Sequence, residues 1–200
     1  MNEPFSWSPY TERFYTGQME DIEGREIDNL AKALFQVLGP KFVADVGCGR
    51  GRFLSVFKNF GCFIWGTDGA PAKKAGLLFP EKCFSEQDFR NGLIMPKKAD
   101  LVLCLEVVEH LPPDTAKTLV RQICRSGAKY IAFSGAHPGQ GGTGHINERS
   151  AKYWVAEFVN NDRQHDRPLT RHVIEVWNTL LGAPVTATPW YEANLRIFRT

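Results

Sequence analysis

The chain has 200 residues, of which 43% are hydrophobic and 23% charged, and its formal net charge is +2. This length and composition predict a globular domain and exclude a disordered chain. The near-neutral charge gives no general electrostatic basis for gripping a nucleic-acid backbone, and no apolar run approaches the ~20 residues that cross a bilayer.

The cysteines and the N-terminal residues indicate the compartment. The cysteines are odd in number and widely spaced, which is typical of buried apolar side chains rather than of disulfides or a zinc site: Cys48, Cys62, Cys83, Cys104 and Cys124. Residues 1–15 lack the basic and then apolar pattern of a signal peptide. We therefore expect a cytoplasmic protein that does not enter a membrane.

Helices and strands alternate from the start of the apolar pattern. The first predicted helix follows an N-cap at Asp28 and ends at Gly39-Pro40, and its apolar residues have helical spacing: Leu30, Leu34, Val37 and Leu38. An apolar strand, Phe42–Val46, comes next. The second helix ends at Gly61 and carries Phe53, Leu54 and Phe57.

The alternation continues to the middle of the chain. A second strand is predicted from the apolar run 62–65 to its end at Asp68, and further strands at 83–84, 101–105 and 130–133. Between them lie a short helix at 72–78 and a longer helix that stops at Gly127, with Ala116, Leu119, Val120 and Ile123 on one face. Because apolar strands alternating with amphipathic helices require a parallel sheet covered on both faces, the predicted fold is a doubly wound α/β sheet.

The pattern after residue 150 is less regular. It predicts one helix around Trp154, Val155, Phe158 and Val159, and a second around Val173, Trp177, Leu180 and Leu181. A last strand is expected at 194–199. We found no internal repeat or linker, so residues 1–200 are expected to form one domain, with residues 1–26 as an N-terminal extension or lid.

The first strand ends in a glycine-rich turn, D-V-G-C-G-R-G at residues 45–51. Glycine at Gly47 and Gly49, around Cys48, lets the backbone approach a ligand closely. The spacing is not that of a dinucleotide site, G-x-G-x-x-G, since Phe53 stands where the third glycine would be. Asp45 would repel a pyrophosphate and attract a cationic amino acid. The cofactor S-adenosylmethionine carries an ammonium and a sulfonium and has no phosphate.

This turn resembles the first motif of the class I S-adenosylmethionine-dependent methyltransferases. The resemblance implies a mostly parallel seven-stranded sheet whose last strand is antiparallel, and we expect that strand to pair with residues 184–188. It also implies that Asp68, followed by Gly69, binds the ribose hydroxyls. Asp88 and Phe89 are expected to contact adenine, and Glu86 is an alternative.

A second motif, E-V-V-E-H-L-P at residues 106–112, resembles the strand-to-helix segment of the same family. It implies that Leu105 and Glu106 lie near the methionine end of the cofactor, with Glu109 and His110 at the rim of the pocket. In some other methyltransferases a matching triplet binds a divalent cation. Here a further ligand would have to come from His137 or His145 without a recognisable spacing, and the sequence-based expectation is that no metal is bound.

Residues 137–148 contain four glycines and a proline, which predicts a loop over the pocket. This loop resembles that of stand-alone bacterial and phage methyltransferases. His145 is the preferred residue on the acceptor side, as a hydrogen-bond partner or general base, although it can equally hold its own loop. The catalytic candidates are therefore His110, His145 and Glu109.

The expected activity is in-line transfer of a methyl group to an oxygen or nitrogen of a small or sugar-like molecule by a monomer or weak dimer. Two alternatives remain open from sequence alone. One is a nucleic-acid or protein methyltransferase. The other is a protein that binds the cofactor without turnover, or a nicotinamide-dependent oxidoreductase on the same fold.

Overall fold

The computed structural model of the chain describes Thr11, Tyr15 and residues 22–96 and 98–200. Within these residues one sheet contains seven strands: β1 (Phe42–Val46), β2 (Phe63–Asp68), β3 (Phe84–Glu86), β4 (Leu101–Leu105), β5 (Tyr130–Ser134), β6 (Gln164–His165) and β7 (Arg196–Arg199).

The strand order across the sheet is β3-β2-β1-β4-β5-β7-β6. The first five strands in the chain run parallel, and β7 runs antiparallel to both β5 and β6. This arrangement confirms the predicted doubly wound α/β fold with an antiparallel last strand. Because the chain moves outward from β1 to β3 and then returns to β4, the order reverses between β1 and β4, and a crevice opens at their carboxyl ends.

The helices among the described residues cover both faces of the sheet: α1 (Ile22–Leu38), α2 (Arg52–Asn59), α3 (Ala70–Lys74), α4 (Pro113–Cys124), α5 (Ala151–Val159), α6 (Arg167–Leu181) and α7 (Pro189–Asn194). Local signals explain several of their ends. Gly39 and Gly182, both with positive φ, follow α1 and α6. The side chains of Ser150 and Asp166 cap the first turns of α5 and α6.

Alternate residues of each central strand face two hydrophobic cores, one on each face of the sheet. Val43, Leu101 and Leu103 face the core under α1, α2 and α6, while Val102 and Cys104 face the core under α4 and α5. The largest side chains buried beneath the helices are Phe57, Trp177, Trp154 and Phe158. Each such side chain contributes about 1.5–3 kcal/mol by leaving water, so the sheet is a rigid base for the loops at its carboxyl edge.

Two sequence predictions were wrong. Asp28 lies inside α1, where its carboxylate pairs with Arg52 at 2.9 Å, because the buried face of the helix extends to residues before Asp28. Residues 184–188 are not the partner of the last strand, since β6 takes that place. The backbone of residues 186–188 instead donates hydrogen bonds to the Glu26 carboxylate.

Smaller differences concern element ends. β2 begins at Phe63 and ends at Asp68 as predicted, whereas α3 is shorter than predicted. α1 includes residues 22–26, which the sequence analysis assigned to an N-terminal extension, and the rest of that extension, apart from Thr11 and Tyr15, lies outside the described residues. No described helix has both the length and the apolar character required to cross a membrane.

Candidate functional site

A cavity of about 740 Å³ lies at the carboxyl ends of β1, β2 and β4, where the strand order reverses. Its volume is within the range of small-molecule sites. The glycine-rich turn and the end of β2 form one end of the cavity, and the residues after β4 and the loop at 140–145 form the other. Residues of α1 and α7 close the side between them.

The backbone N–H groups of the glycine-rich turn are used within the protein. Gly47 and Cys48 donate to the carbonyl oxygen of Thr67 at 2.8 and 3.1 Å, and Gly49 donates to Oδ2 of Asp68 at 2.7 Å. Gly47 has φ +77°, and a Cβ there would lie 2.3 Å from Val107 Cγ2. The turn therefore needs glycine for its own packing, and these three N–H groups do not point to a phosphate.

Two acids lie beside this turn, Asp45, which is buried, and Asp68, which is half-buried. Asp68 accepts hydrogen bonds from the N–H groups of Gly49 and Gly69, both at 2.7 Å, and from the Tyr15 hydroxyl at 3.1 Å. Burial raises the pKa of Asp68, although these bonds oppose the rise. Burial, and then the charge of Asp68, raise the pKa of Asp45 to about 8. This end of the cavity is therefore suited to a cation or to hydroxyl donors.

Two further carboxyl groups lie at the other end. Glu106, whose φ of +54° turns the backbone sharply after β4, accepts a hydrogen bond from Gln140 at Oε2, 3.0 Å away. Its Oε1 and both carboxyl oxygens of the fully buried Glu109 accept no hydrogen bond from the described residues. Burial, and then the neighbouring Glu106, raise the pKa of Glu109 to about 9. The backbone N–H groups of Glu109 and Ala136 oppose this rise in pKa.

Two histidines complete this end of the cavity. The rings of His110 and His145 are 4.8 Å apart between centroids and nearly perpendicular, at 73°. His110 donates to the carbonyl oxygen of Gly144, and burial followed by the proximity of His145 lowers its pKa to about 4. Nδ1 of His145 lies 3.1 Å from Oε1 of Glu148, whose carboxylate also accepts the N–H groups of Gly139 and Gly141. Glu148 thus fixes both the loop and the His145 ring.

Most of the residues singled out from the sequence meet at this cavity: Asp45, Gly47, Cys48, Gly49, Asp68, Gly69, Leu105, Glu106, Glu109, His110 and His145. Asp88 and Phe89 do not line it. Asp88 forms an ion pair with Arg90 at 2.6 Å, and Phe89 is buried in the core below α4. His137 is exposed and outside the lining. Their positions give the adenine prediction for Asp88 and Phe89 no support.

Other residues that line the cavity were not predicted from the sequence as site residues: Tyr15, Glu23, Ile27, Gln140, Trp190 and Tyr191. Most of them come from α1 and α7, distant in sequence from the glycine-rich turn, and carry no local motif. Gln140 is different, because it lies within the glycine-rich loop at 137–144 and links Glu106 to Asn194. Its position as a polar residue in a glycine-rich loop was the sequence feature that could have indicated Gln140 as a site residue.

Comparison with known proteins places the chain in a family. A family model described as a methyltransferase domain matches residues 19–182, so the chain belongs to that family, whose members use S-adenosylmethionine. This confirms the class suggested by the sequence motifs. Among curated proteins, no sequence matches the chain.

Several solved structures share the fold. Mitomycin 7-O-methyltransferase has 16% identity and a TM-score of 0.64, with 97% of this chain and 59% of that chain covered. Magnesium protoporphyrin IX methyltransferase of Synechocystis PCC 6803, solved with bound SAH, has 19% identity and a TM-score of 0.59, with 93% of this chain and 90% of that chain covered. Human N-acetylserotonin methyltransferase in complex with SAM has 17% identity and a TM-score of 0.56, with 90% of this chain and 52% of that chain covered. The chain thus spans just over half the length of the first and third neighbours.

Proposed function

We propose that the protein transfers a methyl group from S-adenosylmethionine to an oxygen or nitrogen atom of a small-molecule acceptor. The observation that supports this most is that two acids, Asp45 and Asp68, lie beside a turn whose N–H groups are already bonded within the protein. A cofactor with an ammonium group and a ribose fits these groups, whereas a dinucleotide would place its pyrophosphate against two acids and no available donor.

The residues present fit this cofactor. Asp68 has about four lone-pair positions, and two are fixed by backbone N–H groups, so the position held by the Tyr15 hydroxyl and the remaining one can serve a ribose diol. Asp45, at the mouth of β1, would bind the ammonium. In this proposal Gly47, Cys48, Gly49 and Gly69 line the cofactor beside these acids, while Leu105 and Glu106 lie towards its methionine end.

The chemistry requires little of the protein beyond positioning. S-adenosylmethionine supplies a methyl group already activated by the sulfonium. The chain's task is to hold the acceptor in line with that methyl and to exclude water, and such orientation can be worth ~7 to 11 kcal/mol. The pKa of His110 is lowered to about 4, so its ring is uncharged near neutral pH and is suited to hydrogen bonding with the acceptor rather than to strong base catalysis. His145 and Glu109 lie beside it at the same end of the cavity.

A small acceptor with an apolar surface suits the side of the cavity. Ile27, Leu111, Trp190 and Tyr191 line it, and aromatic side chains bind flat apolar groups well. The structural neighbours named above are methyltransferases of mitomycin, magnesium protoporphyrin IX and N-acetylserotonin, all small molecules. The near-neutral net charge gives no comparable support for a nucleic-acid acceptor.

Calorimetry tests the cofactor assignment. We expect the wild type to bind S-adenosylhomocysteine and not NADH, and Asp68→Ala to weaken the binding by at least about tenfold, as loss of a charged hydrogen-bond partner predicts. Asp68→Asn, which keeps one acceptor oxygen, should lie between the two. Unchanged affinity in both variants, with intact thermal unfolding, would show that Asp68 does not hold the ribose.

A labelled methyl group tests the acceptor. Incubation of the protein with methyl-labelled cofactor and fractionated cell extract should put label into the small-molecule fraction. Label found only in RNA, DNA or protein would contradict the acceptor class while leaving the methyl transfer itself established.

A further inference from the structure

Two glutamates that follow β4 have carboxyl oxygens without a partner at the acceptor end of the cavity. Both glutamates line the cavity, and Glu109 is fully buried. Oε1 of Glu106 and both carboxyl oxygens of Glu109 are shielded from solvent and accept no hydrogen bond from the described residues. A buried polar atom without a partner is costly, and more so when its group is charged. These three oxygens therefore indicate a ligand that brings hydrogen-bond donors.

The contacts of Glu106 leave one of its oxygens to the ligand. Oε2 accepts a hydrogen bond from Nε2 of Gln140 at 3.0 Å, and Oε1 of Gln140 in turn accepts one from Nδ2 of Asn194 at 2.8 Å. These two bonds join the residue after β4 to the end of α7 and fix the Glu106 carboxyl. A donor can therefore reach Oε1 of Glu106 without breaking either bond.

The charged side chains that line the cavity are mostly acidic. They are five acids, Glu23, Asp45, Asp68, Glu106 and Glu109, and two arginines, Arg50 and Arg52. Both arginines belong to the glycine-rich turn or follow it directly; Arg52 pairs with Asp28, and Nε of Arg50 donates to the carbonyl oxygen of Gly76. No described lysine or arginine lines the acceptor end. Because like charges repel, this end favours a cationic group over a carboxylate or a phosphate.

Aromatic side chains lie near the same carboxyl groups. Burial, and then the charges of Glu106, Asp45 and Glu109, raise the pKa of Tyr191, whose ring lines this cavity with them. Trp190 lines the cavity beside it, with 6.2 Å between the two ring centroids. Aromatic faces attract cations and also bind flat apolar groups. A positively charged group on an aromatic body would therefore meet a favourable surface at both of its parts.

We propose that the acceptor is an amine on an apolar, aromatic body, and that Glu109 and Oε1 of Glu106 bind its nitrogen. This inference rests on the proposed function and names the class of its acceptor. A protonated primary amine has three N–H donors, as many as the carboxyl oxygens that lack one. The bound cation also favours the ionised form of Glu109, whose pKa burial and then Glu106 raise in the protein alone.

Methyl transfer to this nitrogen requires one proton to leave it first. The ammonium gives that proton to the carboxylate of Glu109, which frees the nitrogen lone pair. The lone pair then forms the bond to the methyl carbon while the carbon–sulfur bond breaks and its electron pair stays on sulfur. The products are S-adenosylhomocysteine and a methylated ammonium. A hydroxyl acceptor would instead have to become an oxyanion beside Glu106, which like charge disfavours.

Three matched probes test the acceptor class: phenethylamine, phenethyl alcohol and phenylacetate. They share an aromatic body and carry a cationic, a neutral and an anionic group. Each is titrated at neutral pH, by ligand-observed NMR, into protein saturated with S-adenosylhomocysteine. We expect the amine to bind at least about tenfold more tightly than the other two, because it alone forms charged hydrogen bonds with the glutamates.

Variants assign that preference to the two glutamates. Glu109→Gln and Glu106→Gln should each reduce amine affinity by at least about tenfold, with thermal unfolding measured to confirm that both are folded. Glu175→Gln removes the same charge from the exposed face of α6, outside the cavity lining, and is the matched control. It should bind the amine like the wild type.

The outcomes separate this inference from the proposed function. Equal binding of the three probes, no binding of the amine, or an amine preference that survives in both glutamate variants would overturn the amine acceptor. S-adenosylhomocysteine binding and transfer of labelled methyl to cell extract are measured in parallel. If both persist while the amine preference is absent, only the acceptor class fails, because the cofactor assignment depends on Asp68. If S-adenosylhomocysteine does not bind, the proposed function fails and the amine acceptor with it.

Discussion

Two buried glutamates, Glu26 and Glu109, have opposite surroundings. Glu26, in α1, is 2% exposed and accepts hydrogen bonds from the N–H groups of residues 186, 187 and 188 and from the hydroxyls of Thr186 and Thr188. Glu109 is 0% exposed, and its carboxyl oxygens accept none from the described part of the chain. The residue type and the burial are the same, so the difference lies in what the chain provides around each carboxyl.

The contrast separates an acid that joins two parts of the chain from an acid that lines the cavity. The bonds to Glu26 join α1 to the segment that leads into α7, and so fix two walls of the cavity relative to each other. Burial opposes ionisation of Glu26, but bonds from Thr186, Thr188 and Ala187 outweigh it and lower the pKa. At Glu109 the balance is reversed, because burial and the neighbouring Glu106 outweigh the nearby backbone N–H groups of Glu109 and Ala136 and raise the pKa to about 9.

The largest expected effect is on stability. Glu26→Gln would turn an amide NH₂ toward backbone N–H donors, and the loss of bonds to a charged acceptor should cost about 3 kcal/mol or more. Glu109→Gln should change the free energy of unfolding by less than about 1 kcal/mol, because its carboxyl oxygens accept no hydrogen bond from the described residues that the variant would lose. Urea unfolding of both variants beside the wild type measures this difference, and similar losses in the two variants would erase the distinction between them.

The Glu26 contact also shows where sequence reasoning stops. The glycine-rich turn at 45–51 and the segment at 106–112 could be predicted because each is one contiguous stretch whose glycines, acids and apolar residues reveal a strand end. The bonds between Glu26 and Thr188 join residues 162 positions apart and leave no local pattern. The two-residue strand β6 is too short for any periodicity, which is why residues 184–188 were assigned in its place.

Hydrogen-bond partners of side chains explain which of the predicted histidines reach the cavity. His145 could be placed on the acceptor side from its position in a glycine-rich loop after β5. That His110 packs against it, while His137 in the same loop does not reach the cavity, depends on the path that Glu148 imposes on residues 139–145. Hydrogen bonds of this kind are set by tertiary structure, and residue spacing alone does not encode them.

Asp45 is a third buried acid to compare with Glu26 and Glu109, and in the proposed function its partner is the cofactor. Its pKa of about 8, raised by burial and then by Asp68, means that the folded protein holds a proton that the unfolded chain releases near pH 4. The sign follows: the unfolded state binds fewer protons between about pH 4 and 8, so this group lowers stability as the pH rises through that window. Binding an ammonium requires the ionised form, so cofactor affinity should rise with pH.

Calorimetric titration at pH 5.5, 6.5 and 7.5 at constant ionic strength measures this effect. The affinity of the wild type for S-adenosylhomocysteine should increase by up to about tenfold per pH unit. Asp45→Asn should bind more weakly at pH 7.5 and show little pH dependence. A pH-independent wild type would mean that Asp45 is not the group that meets the ammonium.

The smallest expected effect concerns Asp88, an acid at the end of β3 whose partner is a surface arginine. Asp88 pairs with Arg90 through both oxygens and caps the short turn at Phe89–Asn91, outside the cavity lining. Because partly exposed ion pairs contribute little, Asp88→Ala should lower stability by no more than about 1 kcal/mol and change cofactor affinity by less than about twofold. Asp68→Ala, also at a strand end, is the matched comparison. If Asp88→Ala weakens cofactor binding as much as Asp68→Ala does, the adenine contact predicted from the sequence is correct, and an acid paired with an arginine can still bind the ligand. If Asp88→Ala binds the cofactor as tightly as the wild type, the acids that bind it are those at the ends of β1 and β2, Asp45 and Asp68.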